Sequence, residues 1–193
     1  MISKISKNIA NFLVENNSID RKEFELYHYG LFVLISDGFT LLCCVVVGAL
    51  YDIVLPGLCF FVSYYVIHKF AGGFHAKTEL CCQIITGSML FFCITALKFS
   101  YFIELQIVVV ISLVMSIILI IFSPADTPQK PLTLSDKKFF KKLLLLVIFI
   151  GNLFVIIFAY KKVELYSSAI CIAIVSQTIS VVFGRLLNKR LRT

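Results

Sequence analysis

The sequence predicts an all-α, polytopic membrane protein, and three observations lead to that prediction. Of its 193 residues, 60% are hydrophobic and only 15% are charged, whereas soluble globular domains are about 45–50% apolar and about 25% charged. The apolar residues are gathered into six long segments. The basic residues, which give a net charge of +7, fall mostly between those segments. This composition excludes a soluble globular domain, and its high hydrophobicity excludes a disordered chain.

The six apolar segments predict six membrane-crossing helices in a single membrane domain that comprises residues 1–193. They are 31–50, 53–67, 83–97, 105–123, 143–160 and 166–184. A helix perpendicular to the membrane needs about 20 residues to cross the hydrocarbon. Because the second and third segments are shorter than that, an arrangement with four full spans and two partial ones is the alternative.

The residues ahead of the first segment predict a further, amphipathic helix. Ile2, Ile5, Ile9, Phe12 and Leu13 recur at helical spacing, with lysines and asparagines between them. This pattern is typical of a helix that lies in the headgroup plane of the membrane. Docking of the same stripe on the protein's own core is the alternative.

The distribution of basic residues predicts the orientation of the chain. If the N-terminus is cytoplasmic and six spans alternate, 15 of the 18 lysines and arginines lie on the cytoplasmic side. The positive-inside rule favours this arrangement, which places both termini and residues 68–82 at the cytoplasmic face. Anionic lipid headgroups account for the basic charge, so nucleic acid is not expected as a partner.

The polar stretch 68–82, between the second and third apolar segments, concentrates the reactive side chains. It holds two of the three histidines, two adjacent cysteines and a Gly-Gly pair. Polar groups are costly near lipid, so such a stretch is a candidate functional site. A helix that begins after an N-cap at Thr78 would place Cys81 and Cys82 in its first turn, where a thiolate is stabilised.

His75 can serve as the base for such a thiolate only from outside that helix. Seven helical residues rise about 10.5 Å, which is far more than the ~3 Å contact that a base needs. The chain must therefore fold back, and Gly72 and Gly73 supply the backbone freedom for that turn. Residue chemistry leaves the choice between Cys81 and Cys82 open. No metal or other cofactor is expected, because the histidines and cysteines of this stretch lack the spacing of zinc ligands.

At these residues the sequence resembles the accessory gene regulator B (AgrB) family, membrane cysteine endopeptidases of Gram-positive bacteria. Three stretches carry the resemblance: Glu25-Leu26-Tyr27-His28-Tyr29-Gly30, then Gly72-Gly73-Phe74-His75-Ala76-Lys77-Thr78 followed by Cys82, then Ser123-Pro124-Ala125-Asp126-Thr127 with Lys130-Pro131-Leu132. The resemblance implies that Cys82 is the nucleophile and His75 its base, and the family spacing selects Cys82 over Cys81. The family often carries an arginine where this chain has His68, so no role is assigned to His68.

The resemblance also implies a function and partners. A family member cleaves an AgrD-like autoinducer propeptide and, through an acyl-enzyme, closes it into a thiolactone or lactone for quorum sensing. The implied setting is the cytoplasmic face of the bacterial cell membrane, with membrane lipid and a second copy of the chain as further partners. Because the family's precursors end in an acidic tail, the lysine cluster is a candidate substrate contact; its members are Lys137, Lys138, Lys141 and Lys142. A non-catalytic peptide exporter or sensor subunit, or a thiol acyltransferase acting on lipid, is the alternative.

Overall fold

The computed structural model describes residues 2–73, 79–125 and 133–190. Within these ranges the chain forms seven α-helices and two short 3-10 turns, Arg21–Glu23 and Ser100–Phe102. The helices are α1 (Ile2–Glu15), α2 (Phe24–Leu50), α3 (Val54–Ala71), α4 (Glu79–Phe99), α5 (Leu105–Phe122), α6 (Leu134–Tyr160) and α7 (Glu164–Arg190). The last six are long and apolar enough to cross a membrane, which confirms the predicted all-α polytopic fold.

The two helices that flank residues 74–78 are longer than the apolar segments that predicted them. α3 has 18 residues and α4 has 21, which correspond to about 27 Å and about 32 Å of helix. Membrane-crossing helices have about 17–25 residues. Both helices are continuous and fall within that range, as the six-span prediction requires.

α6 also begins well ahead of residue 143, where the fifth apolar segment starts. Thr133 and Asp136 form a capping box at its start. The Asp136 amide donates to Thr133 Oγ1 at 3.2 Å, and the Thr133 amide donates to Asp136 Oδ2 at 3.1 Å. These two bonds satisfy amides that the first helical turn leaves unpaired. As a result the lysine cluster lies in the first turns of a helix.

The chain divides into two compact units, one up to Cys43 and one from Cys44 onward. The first unit contains α1, which is helical as predicted. Three apolar side chains of α1 are exposed at helical spacing, Ile5, Ile9 and Phe12. An exposed apolar stripe beside lysines is typical of a helix in the headgroup plane, so this exposure favours the membrane-surface prediction.

α7 is the central helix of the second unit. Of its membrane-crossing window 56% is buried inside the protein, against 28% or less for each of the other candidate spans. It packs against α3, α4, α5 and α6. The outer helices expose many leucine, isoleucine and phenylalanine side chains, which is the surface expected of helices surrounded by lipid tails.

Contacts between helix ends establish which termini lie together in the second unit. The Ala125 amide, just after α5, donates to the Ala71 carbonyl at the end of α3 at 2.9 Å. Lys98, near the end of α4, donates to the Tyr51 carbonyl ahead of α3 at 2.7 Å. Successive helices are therefore antiparallel. We call the end where α3 and α5 finish and α4 and α6 begin the reactive end.

A buried amide joins α5 to α6 within the second unit. Asn152 Oδ1 accepts a hydrogen bond from Ser112 Oγ at 2.7 Å, and its Nδ2 donates to Ser116 Oγ at 2.8 Å and to the Ile148 carbonyl at 2.9 Å. Interhelical hydrogen bonds of this kind contribute about 0.6 kcal/mol each on average in membranes. Asn152 lies five turns into α6, so it supports helix packing far from the reactive end.

Candidate functional site

The two candidate thiols lie at the start of α4. The helix begins at Glu79, so Cys81 and Cys82 are in its first turn, as predicted. Cys82 is partly buried and Cys81 is exposed. His75 and Thr78 lie outside the described residues, so the base and the helix cap stay predictions.

The exit of the chain from α3 requires glycine at position 72. Gly72 has φ 70° and ψ −163°, a backbone region that is essentially restricted to glycine. Its amide donates to the His68 carbonyl at 3.0 Å and so ends the helix. A Cβ at this position would lie 2.7 Å from the Ala125 carbonyl oxygen. The path of the chain at Gly72 is therefore fixed both by backbone conformation and by close packing. The predicted return of His75 toward the cysteines lies outside the described residues and stays a prediction.

A polar cluster holds this exit in place; it consists of His68 from α3 and of Gln177 and Ser180 from α7. The side chain of Gln177 is fully buried, and its Nε2 donates to the Gly72 carbonyl. Its Oε1 lies 3.1 Å from His68 Nδ1. Gly73 packs on the same cluster so closely that an added Cβ would lie 2.8 Å from Ser180 Oγ and 2.9 Å from His68 Cε1. Gln177 and Ser180 are not among the residues predicted for the site, although a glutamine inside an apolar helix is a signal for a functional residue.

Tyr64 extends this cluster along α3. Its ring stacks on the His68 imidazole one turn later, with centroids 5.5 Å apart and an interplanar angle of 19°. α3, which carries both rings, also contacts α4, the helix that carries the candidate nucleophile.

The chain leaves α5 beside the point where it leaves α3. The backbone hydrogen bond between Ala125, which follows α5, and Ala71, the last residue of α3, joins the two places. On the same side Arg185 of α7 donates from Nη2 to the Pro124 carbonyl at 3.2 Å. α7 thus contacts the chain at both places, through Gln177 after α3 and through Arg185 after α5.

The lysine cluster lies at the same reactive end. Within the first turns of α6, Lys138, Lys141 and Lys142 are exposed and Lys137 is half-buried. Phe140, between them, lies against Phe70 near the end of α3, with ring centroids 6.5 Å apart. This contact brings the candidate substrate-binding lysines next to the exit of the chain from α3.

The fold and the site together define a class of protein. It is a helical membrane protein with a candidate thiol nucleophile at the start of one helix. At the same end of the bundle, a buried polar cluster holds the glycine exit, the point at which the chain leaves α3 through Gly72 and Gly73. Among the described residues no three metal-ligating side chains come together. Within this class the chain belongs to the accessory gene regulator B family, whose family model matches residues 6–181. That match confirms the resemblance found in the three sequence stretches.

Several relatives are similar over most of the chain. The chain is 30% identical over 145 residues to the putative AgrB-like protein 2 of Clostridium perfringens (strain 13 / Type A), covering 72% of this chain and 67% of that protein. It is 25% identical over 171 residues to the accessory gene regulator protein B of Staphylococcus haemolyticus (strain JCSC1435), covering 89% and 88%. The protein of the same name from Staphylococcus aureus (strain MW2) is 26% identical over 149 residues, covering 76% and 79%. No solved structure gives a significant match.

Proposed function

We propose that this protein is a membrane cysteine endopeptidase that processes an AgrD-like quorum-sensing propeptide at the cytoplasmic face of the bacterial cell membrane. One observation carries the proposal: the first turn of α4, the glycine exit that leads to His75, and the lysine-bearing start of α6 share the reactive end. Membership of the AgrB family supports it. The proposal includes membrane lipid and a second copy of the chain as further partners.

In the proposed reaction Cys82 and His75 act as nucleophile and base. His75 takes the proton of the Cys82 thiol, and the thiolate attacks the carbonyl carbon of the scissile peptide bond. The C–N bond then breaks, and His75 gives the proton to the leaving amine. The C-terminal part departs, and the N-terminal part stays on Cys82 as a thioester.

Ring closure is the second acyl transfer. A thiol or hydroxyl within the bound peptide attacks the thioester carbonyl, its proton passes through His75 to the Cys82 sulfur, and a thiolactone or lactone is released. Attack by water would release a linear acid instead. A site that excludes water therefore favours the cyclic product.

A thioester on Cys82 is expected when the protein, in membranes, is given an AgrD-like propeptide. Mass spectrometry of the Cys82 peptide should show the N-terminal propeptide fragment attached, and hydroxylamine should remove it because it cleaves thioesters. A non-catalytic exporter or sensor predicts an intact propeptide and an unmodified Cys82. A lipid acyltransferase predicts a fatty-acyl adduct with no loss of propeptide. Either of those results would overturn the proposal.

Charge reversal in the lysine cluster is expected to weaken binding of the acidic propeptide tail. In Lys141→Glu/Lys142→Glu we expect KM to rise about tenfold at low salt and kcat to stay within about twofold, because exposed charges act on encounter and binding more than on chemistry. The difference should shrink as ionic strength rises, since salt screens exposed charges. Cleavage kinetics at two salt concentrations measure both effects.

The matched control reverses the charge of two lysines at the other end of α6. Lys161 and Lys162 are exposed and follow α6 at the opposite end of the bundle. Lys161→Glu/Lys162→Glu makes the same change in net charge and should leave KM within about twofold. Equal effects of the two double variants would assign the change to net charge and remove the cluster from substrate recognition.

A further inference from the structure

We propose that Gln177 is a positioning residue for the reaction: its side-chain amide fixes the path of the chain out of α3 and thereby the approach of His75 to Cys82. This inference rests on the proposed peptidase function. It concerns a residue that lies more than 100 positions from Gly72 and His68 in the sequence, and that meets them only in the folded protein.

The hydrogen bonds of Gln177 determine the orientation of its amide and the proton position on His68. A carbonyl can only accept, so the group of Gln177 that faces the Gly72 carbonyl must be the NH₂. The amide oxygen then faces His68 Nδ1 at 3.1 Å. Because that oxygen can only accept, Nδ1 must carry a proton. The glutamine therefore fixes the imidazole ring as well as the backbone.

The backbone on both sides of Gly72 is held by this arrangement. The amide of Gly72 bonds to the His68 carbonyl at 3.0 Å, and its carbonyl bonds to Gln177. Gly73 then packs against His68 and Ser180 without room for a Cβ. His75 follows two positions later in the sequence. The inference is that a displaced exit displaces the base.

Gln177 differs from the polar residues on either side of it in α7. Ser176 donates to the Ala173 carbonyl of its own helix at 3.0 Å. The Thr178 hydroxyl lies 2.7 Å from the Ile174 carbonyl of its own helix and 3.2 Å from the Met115 carbonyl of α5, so neither of these bonds reaches α3 or the glycine exit. A buried amide without partners is strongly unfavourable in a membrane-crossing helix. Gln177 satisfies both ends of its amide outside its own helix, at α3 and at the glycine exit. Its bonds thus hold the site, whereas those of Asn152 hold two helices together.

Gln177→Leu is expected to lower kcat for propeptide cleavage about 100-fold with KM within about threefold, since small displacements of reacting groups have effects of that size. Asn152→Leu is the matched control, because it also removes a buried, hydrogen-bonded amide, elsewhere in the bundle. It should reduce thermal stability in detergent but leave kcat within about threefold. Gln177→Met keeps the length of the side chain, and its thioether cannot donate to the Gly72 carbonyl, so the same loss is expected in this second variant if Gln177→Leu fails to fold.

A double-mutant cycle with His75 separates positioning from a merely structural role. The readout is the rate of Cys82 alkylation by iodoacetamide, followed by mass spectrometry of the Cys82 peptide. Gln177→Leu should slow alkylation nearly as much as His75→Ala, and in the His75→Ala background it should add less than about twofold, because residues that act through one another are not additive. Additive effects, or an unchanged rate in Gln177→Leu and Gln177→Met, would overturn the inference.

The same experiment keeps the two proposals distinguishable. If the wild-type protein leaves the propeptide intact, the proposed function fails and the role of Gln177 falls with it. If His75→Ala leaves both alkylation and cleavage unchanged, His75 is not the base, and the role of Gln177 falls while the peptidase stands. If His75→Ala slows both while the Gln177 variants behave additively, the peptidase stands and only the positioning role is wrong.

Discussion

Cys82→Ala is expected to abolish propeptide cleavage, with a fall of at least about 10³-fold, whereas Cys81→Ala is expected to retain cleavage within about threefold. Loss of a catalytic nucleophile in other proteases has effects this large or larger. The two thiols share the first turn of α4, so both lie in the electrostatic field of the same helix dipole. Neighbouring residues on a helix point about 100° apart, and only one of them can face the scissile carbonyl.

The burial of the two thiols makes this comparison informative. Cys82 is partly buried and Cys81 is exposed, so a simple difference in accessibility would favour reaction at Cys81. Cleavage assays on membranes that carry each variant, with membrane insertion checked separately, decide between them. Cys82→Ser should be as inactive as Cys82→Ala, because a helix start does not bring a serine hydroxyl near ionisation at neutral pH. Cleavage that persists in Cys82→Ala but is lost in Cys81→Ala would move the nucleophile to Cys81.

Local patterns in the sequence were sufficient to predict the helices and several parts of the site. Long apolar segments identify membrane helices because lipid leaves few alternatives for the backbone. The cysteines at the start of α4 were predicted from local signals, since a polar run precedes an apolar one there. The start of α6 was predicted too late because that prediction also used local hydropathy alone. Its first turns are polar, and hydropathy does not register the capping box of Thr133 and Asp136.

The contacts that organise the reactive end could not be predicted in this way. His68 and Gln177 are 109 residues apart, and their meeting depends on how α7 packs against α3. Helical periodicity identifies which residues share a face of one helix, but it does not say which helix that face meets. The identity of Gln177 as a partner of Gly72, and the joining of the two loops at Ala71 and Ala125, therefore come from the structure alone.

Gly72→Ala is the second substitution for which we expect a near-complete loss of cleavage, about 10²-fold or more. The observed φ of 70° and ψ of −163° belong to a region that costs other residues roughly 1–3 kcal/mol. The added Cβ would also lie 2.7 Å from the Ala125 carbonyl oxygen, which is backbone and cannot turn away as a flexible side chain could. The exit of the chain must then shift, which displaces Gly72 from Gln177 or Ala71 from Ala125.

Gly87→Ala supplies the matched control for this prediction. Gly87 lies in α4, the helix that carries Cys82, and an added Cβ there would meet no atom within 4 Å. Alanine is also the better helix former, so this variant should keep both cleavage and thermal stability. Cleavage measured well below the melting temperature of each variant separates a displaced site from an unfolded protein. Full activity in Gly72→Ala would mean that the glycine exit does not set the geometry of the reaction, because a backbone displaced at position 72 would then be tolerated three residues before the proposed base.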